Sequence, residues 1–412
     1  MPTLAAAPAI DSRTLREAIS RELPDLINIR RDLHAHPEIG YEEHRTSQVV
    51  QRELKNAGVA FKPNLAGGTG VFGHIPANGN ESGSVKAIGL RADMDALPIF
   101  ETSGLPYAST ITGRMHACGH DGHTTILIGA ARVLAKLAKQ TTLPRPVSFV
   151  FQPAEEGGAG AARMIDDGCL DGSLLGPAID HMYGLHCWPR LPLGIVGTRH
   201  GPLLAASDRF EIKVRGVGSH AAFPHASRDP IVAACAIVGA LQTVASRNVD
   251  PLDSIVISVT MLHTGTAFNV IPPEATISGT VRWLLPQTLQ LAQRRLKEIA
   301  EGVAAGYGCS AELEYHINYP VTLNHAGMVD TFNAVAKQTL GEQRVVDIPQ
   351  PVMGGEDFSF YSQKVPSCFF VLGLIPQGKS SMPDLHQPDF NFNDDAIATG
   401  VEMFCRLALR NA

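Results

Sequence analysis

The stretch HTTILIGAARVLAKLA, residues 123–138, lies between two short apolar runs, AIGLRAD at 87–93 and VSFVFQ at 147–152. Apolar residues recur at the helical period in 123–138, whereas each flanking run is typical of a buried strand. Strand and helix in alternation predict an α/β protein with a mostly parallel sheet that helices cover on both faces. The runs DHMYGLHCW at 180–188 and CFFVLGL at 368–374 predict two further buried strands.

The pattern changes between about Thr198 and Pro320, where a second, smaller domain is expected. Four strand-like runs in this stretch are FEIKVRGV (210–217), SIVISVTML (254–262), ATISGTVRWL (275–284) and AELEYHI (311–317). Helical patterns at 230–246 and 286–305 complete the order β-α-β-β-α-β, the signature of a ferredoxin-like unit. We therefore expect an inserted ferredoxin-like α+β domain at 198–320 within a catalytic domain made of 1–197 and 321–412.

Length, charge and cysteine usage limit the classes of function. A chain of 412 residues exceeds the roughly 250–300 residues at which single cores stop growing. The net charge of −6 argues against a nucleic-acid partner and favours small-molecule chemistry. No apolar run approaches the roughly 20 residues of a membrane span, and no signal peptide is visible, so no membrane partner is expected. Seven scattered cysteines indicate reduced thiols and a cytoplasmic protein.

The densest group of metal-type side chains is HACGHDGH at 116–123. It contains Cys118, His120, Asp121 and His123, and thiolate and imidazole are preferred ligands of zinc-like ions. Residues two apart share a side of an extended segment, so Cys118 and His120 can face one ion. The alternative, a helix N-terminus with chance histidines, is the weaker interpretation at this density.

Two adjacent carboxylates, Glu155 and Glu156, follow a predicted buried strand in FQPAEEGG at 151–158. One of them could bind a metal while the other acts as a general base on water. A solvated turn explains this motif about equally well when it is taken alone.

Two single histidines complete the candidate set, His186 in GLHCWP and His386 in DLHQPDF. Each is weak by itself, because a lone histidine is more often a hydrogen-bonded structural residue than a ligand. Position supports the set: Glu155, Glu156 and His186, like Asp93, follow the carboxyl end of a predicted strand, where open α/β sheets bind ligands. Cys187 would lie on the opposite side of its strand, and we interpret it as structural.

The inserted domain adds polar residues with no metal-ligand density, in GSHAAFPH (218–225), TAFNVIP (266–272) and GTVRW (279–283). His220, Asn269 and Arg282 could contact an oxyanion or a carboxylate. From the residues alone, ordinary loop polar groups are the stronger interpretation.

Taken together, the motifs resemble the aminoacylase/carboxypeptidase family of metal-dependent amidohydrolases. Within that family they resemble most the branch of hippurate hydrolases, N-acyl amino acid amidohydrolases and indole-acetyl amino acid hydrolases. The resemblance runs in order through almost the whole chain: RRDLHAHPE, RADMDALP, MHACGHDGH, FQPAEEGG, GLHCWP, GSHAAFPH, NVIP and GGEDFSFY.

The resemblance implies a di-metal catalytic domain with an inserted dimerisation or lid domain, in a homodimer or a dimer of dimers. It implies two divalent ions per subunit, Zn, Mn, Co or Ni, and a small N-acyl amino acid as the substrate. The ligands carried over by matching motif are Cys118, His120, Glu156, His186 and His386.

The resemblance also implies catalytic and substrate-binding roles. Glu155 would be the general base, and His220 would reach the partner subunit's active site to stabilise the oxyanion. The substrate carboxylate would be held by Asn269, Arg282, Gly354 and Gly355. The chain departs from the wider family at Arg91, where many relatives have a metal-binding histidine, and the resemblance to the nearer branch implies that the Cys118/His120 pair compensates. Because an imidazole nitrogen does not easily bridge two ions, we expect the Cys118 thiolate to bridge them.

Three alternatives stay open at this point. The protein could be a dipeptidase or an N-acetyl-diaminopimelate deacetylase, which acyl and side-chain specificity would separate. It could also be a non-catalytic binder of amino acid conjugates, against which Glu155 and the five intact candidate ligands argue.

Overall fold

The structure is a computed structural model that describes residues 11–77 and 85–410. The chain divides into two compact units. The larger unit comprises Met1–Leu203, Leu323–Pro349 and Phe360–Ala412, and the smaller one Leu204–Thr322 and Gln350–Ser359. The domain bounds expected from the sequence, 198 and 320, stay a prediction.

Up to residue 204 the described elements include both helices and strands. They are α1 (Ser12–Ala35), α2 (His44–Ala57), β1 (Ala60–Leu65), β2 (Gly70–Ile75), β3 (Ala87–Asp93), α3 (His120–Ala138), β4 (Val147–Gln152), α4 (Gly160–Asp166), β5 (Ile179–Pro192), β6 (Val196–Thr198) and β7 (Gly201–Leu204).

The middle of the chain contributes β8 (Ala206–Arg215), β9 (Ser219–His220), α5 (Pro230–Thr243), β10 (Ile255–Thr264), β11 (Val270–Ile271), β12 (Glu274–Trp283), α6 (Pro286–Gly306) and β13 (Ser310–Tyr319). The remaining elements are β14 (Thr322–Asn324), α7 (Ala326–Leu340), β15 (Val345–Asp347), α8 (Ser359–Ser362), β16 (Ser367–Ile375) and α9 (Ala396–Ala408).

The larger unit is built on an eight-stranded sheet in the order β1-β2-β4-β3-β5-β16-β6-β15. Its centre, β4-β3-β5-β16, is parallel, whereas β1, β2 and β6 pair antiparallel with neighbours. The strands β2, β3, β4 and β16 are buried along their whole length, as expected of strands covered on both faces. The predicted mixed α/β fold with a large, mostly parallel sheet is therefore confirmed.

Helix α3 is the central helix of the larger unit and packs on α1, α2 and α9. It begins at His120, three residues earlier than the sequence predicts, because Gly119 precedes it in a left-handed conformation (φ 83°). A Cβ added at Gly119 would lie 2.5 Å from the Cys187 sulfur, so only glycine fits this close approach. The start of α3 is thereby fixed against β5.

The smaller unit is a four-stranded antiparallel sheet in the order β10-β12-β8-β13. Helices α5 and α6 pack on each other and on this sheet, and its core is separate from that of the larger unit. The burial of β8 alternates residue by residue, as in a sheet with one covered face. The β-α-β-β-α-β order predicted from the sequence is thus present in the described elements. Asp229 caps α5, where its side chain accepts the backbone N–H of Ile231.

One helical stretch of the smaller unit, Pro230–Asn248, is long and apolar enough to cross a membrane by length and composition alone. One helix of this kind is weak evidence for a membrane span, because the core helix of a globular unit has the same length and composition. Ala233, Ile237 and Leu241 on this stretch are fully buried in the core of the unit. Core packing accounts for the apolar character of that face.

Candidate metal centre

The parallel centre of the sheet brings the candidate residues of the larger unit to one edge. Strand β3 ends at Asp93, and β4 ends at Gln152, just before Glu155 and Glu156. His186 was expected at the end of a strand, but β5 continues to Pro192, so this was wrong. The pairing of β5 with β3 nevertheless stops at Gly184. His186 therefore lies level with the carboxyl end of β3, the edge at which α/β sheets bind ligands.

Cys118 lies between two histidines that are distant in sequence. Its Sγ is 3.4 Å from Nε2 of His186 and 3.3 Å from Nε2 of His386. The other ring nitrogen of His186 is 2.8 Å from the Cys187 carbonyl oxygen, which requires Nδ1–H and leaves Nε2 with a free lone pair. A tetrahedral zinc-like ion with typical bond lengths separates its sulfur and nitrogen ligands by roughly 3.5 Å. The observed spacings fit that geometry.

His120 has the orientation of a metal ligand. Its Nδ1 lies 3.1 Å from Oδ1 of Asp95, whereas its Nε2 is buried and has no hydrogen-bond partner. A buried nitrogen without a partner is costly, and a cation would satisfy it. Asp95 also accepts the backbone N–H of Glu156 at 2.9 Å through its other oxygen. Asp95 thus orients one candidate ligand and fixes the backbone of another, as carboxylates beside metal sites commonly do.

The two adjacent glutamates make different contacts. Glu156 Oε1 lies 3.2 Å from Nε2 of His386. Groups of potential ligand atoms within 4.8 Å of one another include Cys118–Glu156–His386, Cys118–His120–His186 and His120–Glu155–Glu156. Cys118 belongs to two of these groups, as a ligand shared by two ions would. The structure therefore brings together all five sequence-predicted ligands and the predicted base, Glu155.

His123 and Asp93 also lie here, but their hydrogen bonds are already satisfied within the protein. His123 Nδ1 is 2.7 Å from Asp93, and its Nε2 accepts the backbone N–H of Cys187 at 2.8 Å. Asp93 is also paired with the guanidinium of Arg91 at 2.5 Å, and both are fully buried. Because His123 has no lone pair left, we interpret this trio as structural. Arg91 thus serves as the counterion of Asp93.

The electrostatics around the cluster favour a cation. Burial raises the pKa of the Cys118 thiol well above its ordinary value, and the carboxylates of Glu156 and Glu155 raise it further. Burial opposes protonation of His120, yet the carboxylates of Asp93 and Asp95 raise its pKa to about 10. Carboxylate charge is thus concentrated around the Cys118 thiol and the His120 ring, and a bound divalent ion would stabilise the Cys118 thiolate.

Asp121, from the same dense motif, faces away from this cluster. Its Oδ2 lies 2.8 Å from Nδ1 of His34 and 3.4 Å from the guanidinium of Arg30, all fully buried. It therefore joins the start of α3 to α1. The sequence reasoning did not single out Asp95, His34 or Arg30; the only signal was the Asp93–Asp95 spacing after a strand.

The remaining predicted residues belong to the smaller unit, where they form two groups. His220 pairs with Val270 across β9 and β11, and Asn269 accepts the backbone N–H of Ala221 through its carbonyl oxygen. His220 is exposed, and its Nδ1 accepts the backbone N–H of Ala222 at 3.0 Å. The neutral ring therefore carries its proton on Nε2 and presents a hydrogen-bond donor.

Arg282 and the predicted glycines form the second group. A Cβ added at Gly355 would lie 3.0 Å from a guanidinium nitrogen of Arg282 and 2.9 Å from Cβ of Ser207, so Gly355 allows Arg282 to lie against the backbone. Burial lowers the pKa of Arg282, and no carboxylate is within ion-pair distance of it in the described part of the chain. Gly354 precedes Gly355, and its carbonyl accepts the N–H of Ala205 at 2.9 Å.

Thiol, imidazole and carboxylate groups lie together at the carboxyl edge of this α/β sheet. Such a site is typical of the metal-dependent hydrolases. Residues 89–410 match the model of Peptidase family M20/M25/M40, and the chain belongs to that family.

Individual relatives agree with this assignment over nearly the whole chain. An N-acetylcysteine deacetylase of Bacillus subtilis is 40% identical over 93% of this chain and 96% of its own length. An IAA-amino acid hydrolase of Arabidopsis thaliana is 38% identical over 93% of this chain and 85% of its own length. The crystal structure of a dinuclear metal binding peptidase from Bacillus subtilis is 34% identical and has a TM-score of 0.79, covering 96% of this chain and 98% of that one. The family resemblance seen in the motifs is confirmed, and the protein is a metal-dependent hydrolase of amide bonds.

Proposed function

We propose that the protein hydrolyses the amide bond of small N-acyl amino acids, of the hippurate or N-acetyl type, and releases a carboxylic acid and a free amino acid. The observation that carries this proposal is the cluster in which Glu155 lies among metal-type donors, beside His120 and Glu156. The names of two relatives support it, because N-acetylcysteine and IAA-amino acids are both amides formed on the nitrogen of an amino acid.

Two divalent ions would be held in the larger unit by five side chains: Cys118, His120, Glu156, His186 and His386. The shared membership of Cys118 in two donor groups supports a thiolate that bridges the ions. Mixed thiolate, imidazole and carboxylate ligands suit Zn, Mn, Co or Ni. Bound ions supply Lewis acidity, which lowers the pKa of a water and polarises the amide carbonyl.

Glu155 acts as the general base and acid. It takes a proton from the attacking water and returns it to the nitrogen of the leaving amine, a role that typically contributes ~10²–10⁴-fold in rate. Its burial, with only 6% of its surface exposed, supports this role because a base screened from bulk water keeps the proton within the site.

His220 stabilises the oxyanion that develops on the amide carbonyl. Its exposed Nε2–H, fixed by the hydrogen bond that Nδ1 accepts from Ala222, is the donor that this role requires. Arg282 binds the substrate carboxylate, for which a planar and permanently charged guanidinium is suited. Asn269, Gly354 and Gly355 assist in holding the substrate.

The active form is a homodimer or a dimer of dimers in which His220 serves the partner subunit's site. The edge strand β10 supports this, because Val256, Met261 and Leu262 on it are exposed and an unpaired apolar edge favours pairing with a twin edge. We assign the enzyme to the cytoplasm, where seven free cysteines would stay reduced.

A substrate panel tests the proposal by release of free amino acid. Hippurate and N-acetyl amino acids should be cleaved, and hippuramide, which lacks the α-carboxylate, should react about 10²-fold more slowly. The Arg282→Ala variant should abolish that difference; equal rates for both substrates in the wild type would contradict the anchoring role. Dipeptides and N-acetyl-diaminopimelate belong in the same panel, and preferential cleavage of either would replace the proposed substrate class.

A further inference from the structure

A segment between α1 and α2 packs on the turn that carries the two glutamates. We call residues 40–43 (GYEE) the anchor segment and residues 154–158 (AEEGG) the carboxylate turn; both belong to the larger unit. The Tyr41 hydroxyl donates to the Gly158 carbonyl at 2.5 Å. A Cβ added at Gly40 would lie 3.0 Å from Cβ of Ala154. The anchor segment therefore contacts both ends of the carboxylate turn.

Glu43 is the member of the anchor segment with no solvent exposure. Its Oε1 accepts the backbone N–H of Ala154 at 2.8 Å, and its Oε2 accepts the Thr69 hydroxyl at 2.9 Å. Both donors are neutral. Burial, together with the nearby Asp95 carboxylate, raises the pKa of Glu43 to about 7. A buried carboxyl of this kind is costly to maintain.

Ala154, which Glu43 holds, has an unusual backbone conformation. Its φ is 53°, in the left-handed region that residues with a Cβ rarely adopt. It immediately precedes Glu155, so its conformation decides where the glutamate backbone goes. The other end of Glu155 is fixed by the hydrogen bond from the Glu156 N–H to Asp95. A strained backbone conformation persists only where the surrounding structure holds it in place. For Ala154, the buried hydrogen bond from its N–H to Glu43 is such a contact.

We propose that Glu43 is a positioning residue that holds Ala154 in its left-handed conformation and thereby aims Glu155 at the reacting water. The inference rests on the proposed role of Glu155 as the general base. Glu43 and Asp95 hold the two ends of the glutamate pair: Glu43 binds the N–H of Ala154, and Asp95 binds the N–H of Glu156. Loss of the Glu43 hydrogen bond changes the geometry of Glu155, whereas Glu156 stays held by Asp95.

The test compares two replacements of similar size at saturating Mn²⁺. Glu43→Met fills the space but cannot accept the Ala154 N–H, whereas Glu43→Gln keeps one acceptor oxygen. We expect Glu43→Met to lower kcat for hippurate by about 10- to 100-fold, with KM and metal content close to those of the wild type. Glu43→Gln should recover most of that loss. Glu42→Met is the matched control, because Glu42 is half exposed and its side chain pairs with Arg114 at 2.8 Å, and it should behave as the wild type.

A second-site change separates positioning from general support of the fold. Glycine adopts a left-handed φ without steric cost, so Ala154→Gly introduced into Glu43→Met should raise kcat at least about fivefold. Wild-type kcat in Glu43→Met overturns the inference. So does an equal loss in the Met and Gln variants with no recovery by Ala154→Gly, because that result marks a structural role only. A wild type that does not hydrolyse any N-acyl amino acid contradicts the proposed function instead.

Discussion

At the scale of single residues, Glu155 and Glu156 are neighbours with different surroundings. Glu156 contacts His386 at 3.2 Å and shares donor groups with Cys118. Glu156→Ala should therefore lose bound metal. Glu155→Ala should retain metal and lose ~10²–10⁴-fold in turnover, since only a proton carrier is removed. Elemental analysis and hydrolysis assays of both variants check this, and a metal-poor Glu155→Ala beside a metal-replete Glu156→Ala would reverse the assignment.

The two cysteines near the centre should also respond differently. Cys118 Sγ is within 3.4 Å of two histidine nitrogens, whereas Cys187 Sγ donates to the Cys118 carbonyl at 3.3 Å. Cys118→Ser should weaken metal binding because a hydroxyl is a poorer ligand than a thiolate. Cys187→Ser can keep its hydrogen bond and should change little. Titration of metal-free protein with Zn²⁺ measures both affinities; identical affinities in the wild type and Cys118→Ser would contradict the thiolate ligand.

Cys118, His120, Glu155 and Glu156 stand out in the sequence because they lie in one dense motif or directly follow a predicted strand, whereas His386 is assigned through the family resemblance. Glu43 and Asp95 could not be predicted in the same way. Glu43 contacts Ala154 across 111 residues of sequence, and no local pattern reports a contact of that range. His123 could not be distinguished from His120 by spacing, since the difference lies in which hydrogen bonds each ring makes in the folded protein.

At the scale of elements, strand and helix identities followed from periodicity, and the ends of elements depended on tertiary contacts. Strand β3 and strand β4 have the predicted bounds, 87–93 and 147–152. Strand β5 extends to Pro192 because β16 continues to pair with it after β3 has ended. His186 therefore lies inside β5 and not at its end. The residue pattern of β5 alone could not indicate this.

The contact between α1 and α3 is predicted to depend on pH through His34. Burial disfavours its charged form, but hydrogen bonds donated to Asp121 and Glu101 raise its pKa to about 9. The pKa of His34 in the folded protein lies above its ordinary value of 6.5. The charged His34 therefore adds its full contribution to the free energy of unfolding below pH 6.5, and this contribution is lost as the pH rises through about 9. This contribution is on the order of 3 kcal/mol.

The measurement compares urea unfolding midpoints of the wild type and His34→Gln. The difference between them should be large at about pH 6.5 and should shrink by about pH 9.5. His200→Gln is the control, because His200 pairs with Asp330 on the surface with 53% of its side chain exposed, and surface pairs contribute little. A His34→Gln difference that does not change with pH would contradict the charged His34.

At the scale of the whole molecule, the proposed dimer predicts complementation. His220→Ala and Glu155→Ala should each be inactive as homodimers. In a heterodimer one site collects both defects and the other has neither, so about half of the wild-type activity per dimer should return. Co-expression with two affinity tags isolates the heterodimer for assay. An inactive, verified heterodimer would mean that His220 does not serve the partner's site.

The activity expected from the sequence, hydrolysis of an amide bond in small N-acyl amino acids, agrees with the names of the deacetylase and hydrolase relatives. The residue pattern of the smaller unit does not distinguish His220 and Arg282 from ordinary loop polar groups, and their proposed roles come from the family resemblance.

The central claim, a two-ion hydrolase site built on Cys118, His120, Glu156, His186 and His386, is tested most directly by metal titration of the chelated protein. Metal-free protein should have no activity toward its best N-acyl amino acid, since no other Lewis acid is available to the reaction. Activity should return as Mn²⁺ or Zn²⁺ is added and should saturate at two ions per chain, with His120→Ala failing to recover. Activity that survives chelation, or that saturates at one ion per chain, would contradict the account.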